Sequence, residues 1–327
     1  MDPSKWKTSL PVKKINKFSD VKLTMGPYLA KGAFGRVYKG SMLVESKDLS
    51  KREIGLQDEV DVAIKEIEIS GDANAKVLKQ EIENMYLVKS CSPYAVEVYD
   101  VITTGDKLYI VMEFLDGAEM IKLKNKTDND KGLISFYKQL MLGLKCFHDL
   151  DMIHGDIKPQ NVMISKDFKT AKWIDFGLMC SIATCQPRGT PNYLDPQILT
   201  KPPSEVDWKA TDIWSFGCLV YTVSSKHTVP FQAELYHAHS ARRKGQDVPY
   251  PVFNVEDLML PMPNFETSNQ IIRACMQLDL TTRHSEWNKL MHQIITSKSK
   301  TKTEKTEKTS TKALSPLRRT MSQIQQN

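Results

Sequence analysis

The apolar positions of this chain change period partway along it. In the first third they alternate. Val62-Ala63-Ile64-Lys65-Glu66-Ile67-Glu68-Ile69 has the two-residue rhythm of a half-buried strand. Leu23 to Tyr28 and Arg36 to Leu43 read as strands flanking a Gly-containing turn. Ala95 to Ile102 and Lys107 to Phe114 read as two more, joined by Thr103-Thr104-Gly105-Asp106. Between them, Ala73 to Lys89 carries Val77, Leu78, Ile82, Met85 and Leu87-Val88 on one helical stripe. After Asp116 the period becomes helical. Leu133 to Leu150 repeats Phe136, Tyr137, Leu140, Met141, Leu144 and Phe147 at helical spacing. Short apolar runs follow at Val162 to Ser165 and Ala171 to Ile174, then a loop-rich stretch from Phe176 to Pro203. Further helices are expected at 211–224, 231–243, 268–278 and 285–296.

Polar stretches punctuate this pattern. Residues 1–20 read as a Lys-rich extension before the fold, 45–59 as a charged surface connection, and 122–131 as a polar link. Residues 297–327 are Lys/Thr/Ser-rich and too poor in apolar groups to offset the entropy of ordering. The expected organisation is therefore an extension (1–20), a small β-rich unit with one helix (21–115), a larger helical unit (116–296) and a disordered basic tail (297–327).

Composition narrows the class. The chain has 327 residues, 41% hydrophobic and 26% charged, as in ordinary globular proteins. Its apolar runs fall short of the roughly 18 residues of a membrane span. The N-terminus, MDPSKWKTSL, lacks an apolar signal core. The expectation is an intracellular protein, cytoplasmic or nuclear, and not secreted. The net charge of +6 is concentrated in the tail, which carries eight Lys/Arg against two Glu, so the body is electrically balanced. This argues against a nucleic-acid-binding fold, whose basic footprint lies on the domain itself. The six cysteines form no CxxC and have no His at zinc spacing, so they are expected as reduced thiols. Cys180 and Cys185 are close enough in sequence for a regulatory disulfide, the alternative to two ordinary thiols. No sequence signal addresses oligomeric state.

The densest chemistry lies at His154-Gly155-Asp156-Ile157-Lys158-Pro159-Gln160-Asn161. A carboxylate, an ammonium and a carboxamide within eight residues make sense if one takes a proton, one neutralises phosphate and one holds a divalent cation. Asp175-Phe176-Gly177 adds a second carboxylate. Ala30-Lys31-Gly32-Ala33-Phe34-Gly35-Arg36-Val37 is either a phosphate-approaching glycine loop or simply a flexible hairpin. Lys65 ends a strand, and if it points inward it needs a counter-ion. Glu81 on the following helix is the best candidate; Glu83 lies on another face.

In order, the Gly loop, VAIK (62–65), Glu81, HGDIKPQN (154–161), DFG (175–177), GTPNYLDPQ (189–197) and DIWSFG (212–217) resemble the eukaryotic-type protein kinase family over residues 21–296. Lys158 and the Gly189-Thr190 pair resemble its serine/threonine branch. The resemblance implies an α+β, bilobal kinase fold and an ATP- and Mg²⁺-dependent enzyme that phosphorylates Ser/Thr hydroxyls of protein substrates. It implies that Asp156 orients and deprotonates the acceptor, Lys158 stabilises the moving phosphoryl group, and Lys65, aligned by Glu81, contacts the nucleotide phosphates. Asn161 and Asp175 would hold Mg²⁺. Ala30, Gly32, Phe34, Gly35, Val37, Ala63, Met112 (as gatekeeper), Glu113, Leu115 and Met163 would surround the nucleotide. Met85, Val98, His154 and Phe176 would form a hydrophobic spine. Asp212 would anchor the loop backbone, and Thr190 would bond near Asp156 and Lys158.

The 45–59 connection is longer than the family needs, as either a docking site or a solvated loop, and the chain departs from the family pattern at three further places. Ala30 replaces the first loop glycine, which a strand-like backbone accommodates. Gly155 replaces the arginine before the catalytic aspartate (a non-RD kinase), so activity is expected without activation-segment phosphorylation. Gln197 replaces a glutamate expected to pair with Arg283, so Gln197→Glu is expected to raise the melting temperature. These departures support the alternative of a pseudokinase or scaffold that binds nucleotide and partners without efficient catalysis. None of them removes a group that would touch the transferring phosphoryl. A small-molecule kinase is disfavoured by the peptide-platform look of GTPNYL.

Overall fold

The computed structural model describes residues 12–32, 35–45, 57–69, 71–124, 129–225, 232–249, 254–259 and 263–300. The chain divides into two compact units at Leu115/Asp116.

In the first unit, strands β1 (Val12–Lys14), β2 (Leu23–Gly32), β3 (Gly35–Glu45) and β4 (Gln57–Glu68) precede helix α1 (Gly71–Leu87); β5 (Val98–Thr104) and β6 (Lys107–Glu113) follow it. The sheet order is β1-β5-β6-β4-β3-β2. All neighbours are antiparallel except β1, which lies parallel to β5 with Val12 opposite Val101. The alternation in β4 is visible in its packing: Val62 and Ile64 point into a cluster with Leu23, Ile102, Tyr109 and Val111. Gly105, at φ +59°, takes the left-handed turn between β5 and β6 that a side chain would resist.

Two expectations are corrected here. Residues from Val12 on are part of the fold, not an extension. Val12 and Ile15 are buried, Ile15 joins the core cluster, and the Phe18 ring meets Tyr109 edge-on at 4.9 Å. A three-residue strand that bonds through its backbone leaves almost no side-chain period to read. The 45–59 connection is also shorter than expected, because Glu45 pairs with Gln57, and residues 57–59 belong to β4. Residues 46–56 lie outside the described residues.

In the second unit, β7 (Gly117–Glu119) leads to α2 (Ile134–Asp149), β8 (Met152–Ile153), β9 (Val162–Ser165), β10 (Ala171–Trp173) and β11 (Cys180–Ser181). Helices α3 (Gln197–Thr200), α4 (Trp208–Ser224), α5 (Gln232–Arg243), α6 (Glu266–Cys275) and α7 (Leu280–Lys300) complete it. Helix α4 is apolar nearly all round and buried along almost its whole length, so it forms the axis of this unit. Asp207 caps it, accepting the Ala210 N–H at 3.0 Å. Helix α7 continues to Lys300, four residues into the segment expected to be disordered. Residues 301–327 lie outside the described residues.

Candidate active site

In the first unit, β4 delivers Lys65 and α1 delivers Glu81. Lys65 Nζ donates to Glu81 Oε1 at 2.6 Å, with the carboxylate only 1% exposed. The pair is charge-assisted in a place with little water, the condition under which such a contact fixes a side chain. Met112 faces Ala63 across the β4/β6 ladder, and Val37 faces Lys65 across β3/β4. Gly32 and Gly35 close the β2/β3 hairpin opposite each other, and Ala30 sits in strand β2 opposite Val37, just after a register shift between Tyr28 and Ala30. A Cβ at Gly35 would meet Glu66 O at 2.0 Å, so this glycine is required by packing irrespective of any ligand. Phe34 lies outside the described residues. The Glu113 N–H already donates to Glu97 O at 2.8 Å and is not free for a nucleotide base. Leu115 ends the unit, partly exposed; Met85 and Val98 are buried in it.

In the second unit, the loop between β8 and β9 carries the dense motif. Asp156 Oδ2 accepts from Lys158 Nζ at 2.7 Å and from Asn161 Nδ2 at 3.0 Å. Its Oδ1 accepts the Thr190 hydroxyl at 2.7 Å and the Thr190 N–H at 3.0 Å. Lys158 also donates to Thr190 Oγ1 at 2.9 Å. One carboxylate thus gathers the ammonium, the carboxamide and the residue after Gly189. Burial works against ionising Asp156, but the bonds from Lys158 and Thr190 outweigh it and hold the carboxyl below its usual range.

The loop itself is anchored from behind. Asp212, in the first turns of α4, accepts the His154 N–H at 2.8 Å and the Gly155 N–H at 3.0 Å. It also takes His148 Nε2 at 3.1 Å, a support from the end of α2 that no motif signalled. Gly155 adopts φ +75°, and a Cβ there would meet Leu178 O at 2.9 Å; a Cβ on Gly189 would meet Gly155 O at 2.6 Å. The two glycines let the activation segment close directly onto the loop. His154 accepts the Asp156 N–H on Nδ1 at 3.3 Å. Its Nε2 is buried without a hydrogen-bond partner, in a ring cluster with Phe147, Trp173 and Phe176. Burial drives its pKa down, despite the nearby aspartates, so the ring is neutral.

A backbone bond from Ile174 N to Asn161 O at 3.1 Å joins the residue after β10 to the residue before β9, so the two expected cation ligands, Asp175 and Asn161, flank the β9/β10 pair at the same end. Asp175 Oδ1 accepts the Gly177 N–H at 3.1 Å, and Asn161 uses its Nδ2 on Asp156. The Asn161 carboxamide oxygen and the second Asp175 oxygen are hard donors of the kind Mg²⁺ takes alongside phosphate oxygens and water. Among the described residues, no group of three or more His, Cys, Asp or Glu forms a self-sufficient metal cage. The donor set fits a cation shared with a phosphate ligand. Met163, on β9, is half-buried nearby in sequence.

Two expectations about this unit fail. Arg283 does not pair with Gln197. Its Nη1 binds Asp195, while Gln197 donates its N–H to Asp195 Oδ1 at 2.8 Å and its Nε2 to Oδ2 at 3.1 Å. Cys180 and Cys185 are not thiols but a disulfide. Cys91 and Cys146 are disulfide-bonded as well; Cys218 and Cys275 are free and buried.

Comparison with known proteins gives the family. The protein kinase domain model matches residues 26–298, and the chain belongs to the protein kinase family. It is 33% identical to serine/threonine-protein kinase Nek5 of Homo sapiens over 216 residues, 62% of this chain and 28% of that protein. It is 30% identical to Nek5 of Mus musculus over 221 residues, 64% of this chain and 31% of that protein. It is 28% identical to CBL-interacting serine/threonine-protein kinase 10 of Arabidopsis thaliana over 220 residues, 64% of this chain and 42% of that protein. The matched stretch therefore spans less than half the length of these relatives. No helix among the described residues is long and apolar enough to cross a membrane.

Proposed function

We propose that the chain is an ATP- and Mg²⁺-dependent serine/threonine protein kinase that transfers the γ-phosphoryl group to Ser or Thr hydroxyls of protein substrates. The observation that carries this reading is the convergence of Lys158, Asn161 and Thr190 on the Asp156 carboxylate. Phosphoryl transfer needs positioning and charge compensation more than covalent help from the protein. With its pKa held low, Asp156 is ionised at neutral pH. It orients the acceptor hydroxyl by accepting its hydrogen bond and takes the proton as the new P–O bond forms. Lys158 offsets the charge that spreads over the phosphate oxygens. Lys65, steadied by Glu81, binds phosphate oxygens of the nucleotide. Asn161 and Asp175 would hold Mg²⁺, which would supply further compensation for the phosphate charge. Gly32, Gly35, Ala30, Val37, Ala63, Met112 and Met163 would contact the nucleotide.

The reading extends to regulation. The loop backbone is fixed by Asp212 and packed directly against Gly189, so no arginine–phosphate pair is needed to set it. Activity should therefore not depend on a phosphate in the activation segment. The test is phosphotransfer from ATP to a generic basic protein with Mg²⁺ and with chelator, followed by phosphoamino-acid analysis. Mg²⁺-dependent phosphoserine or phosphothreonine supports the proposal; no transfer under any condition contradicts it.

A further inference from the structure

The Cys180–Cys185 bridge lies in the segment between Asp175 and Thr190, and the mechanism above does not use it. Cys180 stands on β11 opposite Ile153 of β8, the residue before His154. Ile182 N donates to Asp151 O at 2.9 Å, and Thr184 N to Ser181 O at 2.8 Å, closing a tight exposed tip. Both bridged cysteines are buried in a cluster with Ile153, Val206 and Trp208, against which Ile198 packs. From Cys185 the chain runs five residues to Thr190, whose hydroxyl sits on Asp156.

We propose that this bridge is a thiol–disulfide exchange site that clamps the substrate-facing segment in its assembled position. The partner class is a dithiol reductant. The balanced step is attack of its thiolate on one bridge sulfur, giving a mixed disulfide and a cysteine thiolate, which takes up a proton. The second reductant thiol then displaces the other cysteine, leaving Cys180 and Cys185 as thiols and the reductant as its cyclic disulfide. Arg188 lines the same small cavity as Cys180. The sulfurs are buried, but the tip from Ile182 to Thr184 is exposed, so opening of the tip gives the reductant access.

With the bridge cut, only side-chain packing holds Cys185, and residues 181–190 gain freedom. Thr190 then spends less time on Asp156 and Lys158. Cost falls on protein-substrate positioning, while the Lys65–Glu81 pair is untouched. This inference rests on the kinase reading for its activity arm but not for its structural one.

The experiment uses the full chain, oxidised or treated with dithiothreitol, beside Cys180→Ser/Cys185→Ser. Alkylation and mass spectrometry score the bridge. Amide hydrogen exchange at 181–190 should quicken about tenfold in the reduced protein and in the variant, with α4 still protected. The kcat/KM for a protein substrate should fall about tenfold, with KM for ATP unchanged, and reoxidation should restore wild type alone. Because Cys91 and Cys146 also respond to reductant, the untreated double variant must reproduce the loss. Unchanged exchange after verified reduction overturns the proposal. So does a double variant with full activity, or activation on reduction. If the variant loses protection throughout α4, exchange in reduced wild type decides. If oxidised wild type transfers no phosphate, the kinase reading fails, and exchange still decides the clamp.

Discussion

Arg283 is held by Asp195, two residues before the glutamine expected to hold it. Nη1 also donates to Ala210 O at 3.1 Å and Nε to Gln277 O at 2.8 Å, and the guanidinium lies 5.0 Å from the Trp214 ring centre. The buried ion pair is therefore retained with its carboxylate shifted along the chain. Burial pushes the Asp195 carboxyl up, opposed by Arg283 and by two donors from Gln197. Asp195→Ala strands the arginine and should cost about 3–5 kcal/mol in denaturant unfolding. Gln197→Glu, expected from sequence to stabilise, sets a second carboxylate beside Asp195 and removes a donor. It should lower the melting temperature; a rise would restore the original pairing.

His154 gives a pH signature. Its folded pKa is depressed by burial, below the ordinary value of about 6.5. Its contribution to stability is fully present above that value. As pH falls below it, the unfolded chain takes up a proton that the native ring refuses, and stability drops until the folded pKa is passed. His154→Phe should remove this part of the slope below about pH 6.5, seen as a flatter difference between the two unfolding profiles. Parallel profiles would mean that the ring titrates normally.

Gly155 and the activation segment make a linked pair of predictions. Ser181→Ala/Thr184→Ala should keep phosphotransfer within about twofold of wild type, because no phosphate holds the loop; a loss of the order seen on removing a catalytic group refutes it. Gly155→Ala should lose about 1–3 kcal/mol of stability, since φ +75° and the Leu178 carbonyl at 2.9 Å both oppose a Cβ. Thermal unfolding checks it.

The first strand offers a test of where the fold begins. Ile15→Ala should cost about 2–5 kcal/mol, the range for emptying a well-packed aliphatic site. A cost near zero would return residues 12–20 to the status of an extension.

Much of this was legible because period and motif are local. The stripe from Phe136 to Phe147 gave α2 within one residue at each end, and the alternation in 62–69 gave the C-terminal end of β4 but missed its first five residues, Gln57 to Asp61. The contact of Lys65 with Glu81, and those of Asp212 and Thr190, followed from a motif order that the family resemblance interprets. What stayed hidden is set by tertiary neighbours. Strand β1 bonds to β5 through its backbone, which no side-chain pattern records. Asp195 could be read as a substitution but not as a replacement partner, because Arg283 lies 88 positions away in sequence. Cys180 and Cys185 meet because β11 pairs with β8 and the tip folds back, a geometry that their spacing only permits.

The central claim is that Asp156, gathered with Lys158, Asn161 and Thr190, directs phosphoryl transfer. The direct measurement is transfer of labelled γ-phosphate from ATP·Mg²⁺ to a protein substrate by wild type and by Asp156→Asn, with folding of both checked by thermal unfolding. The account predicts a kcat lower by a factor of about 10²–10⁴ in the folded variant, with KM for ATP little changed. Equal rates from the two proteins would contradict it.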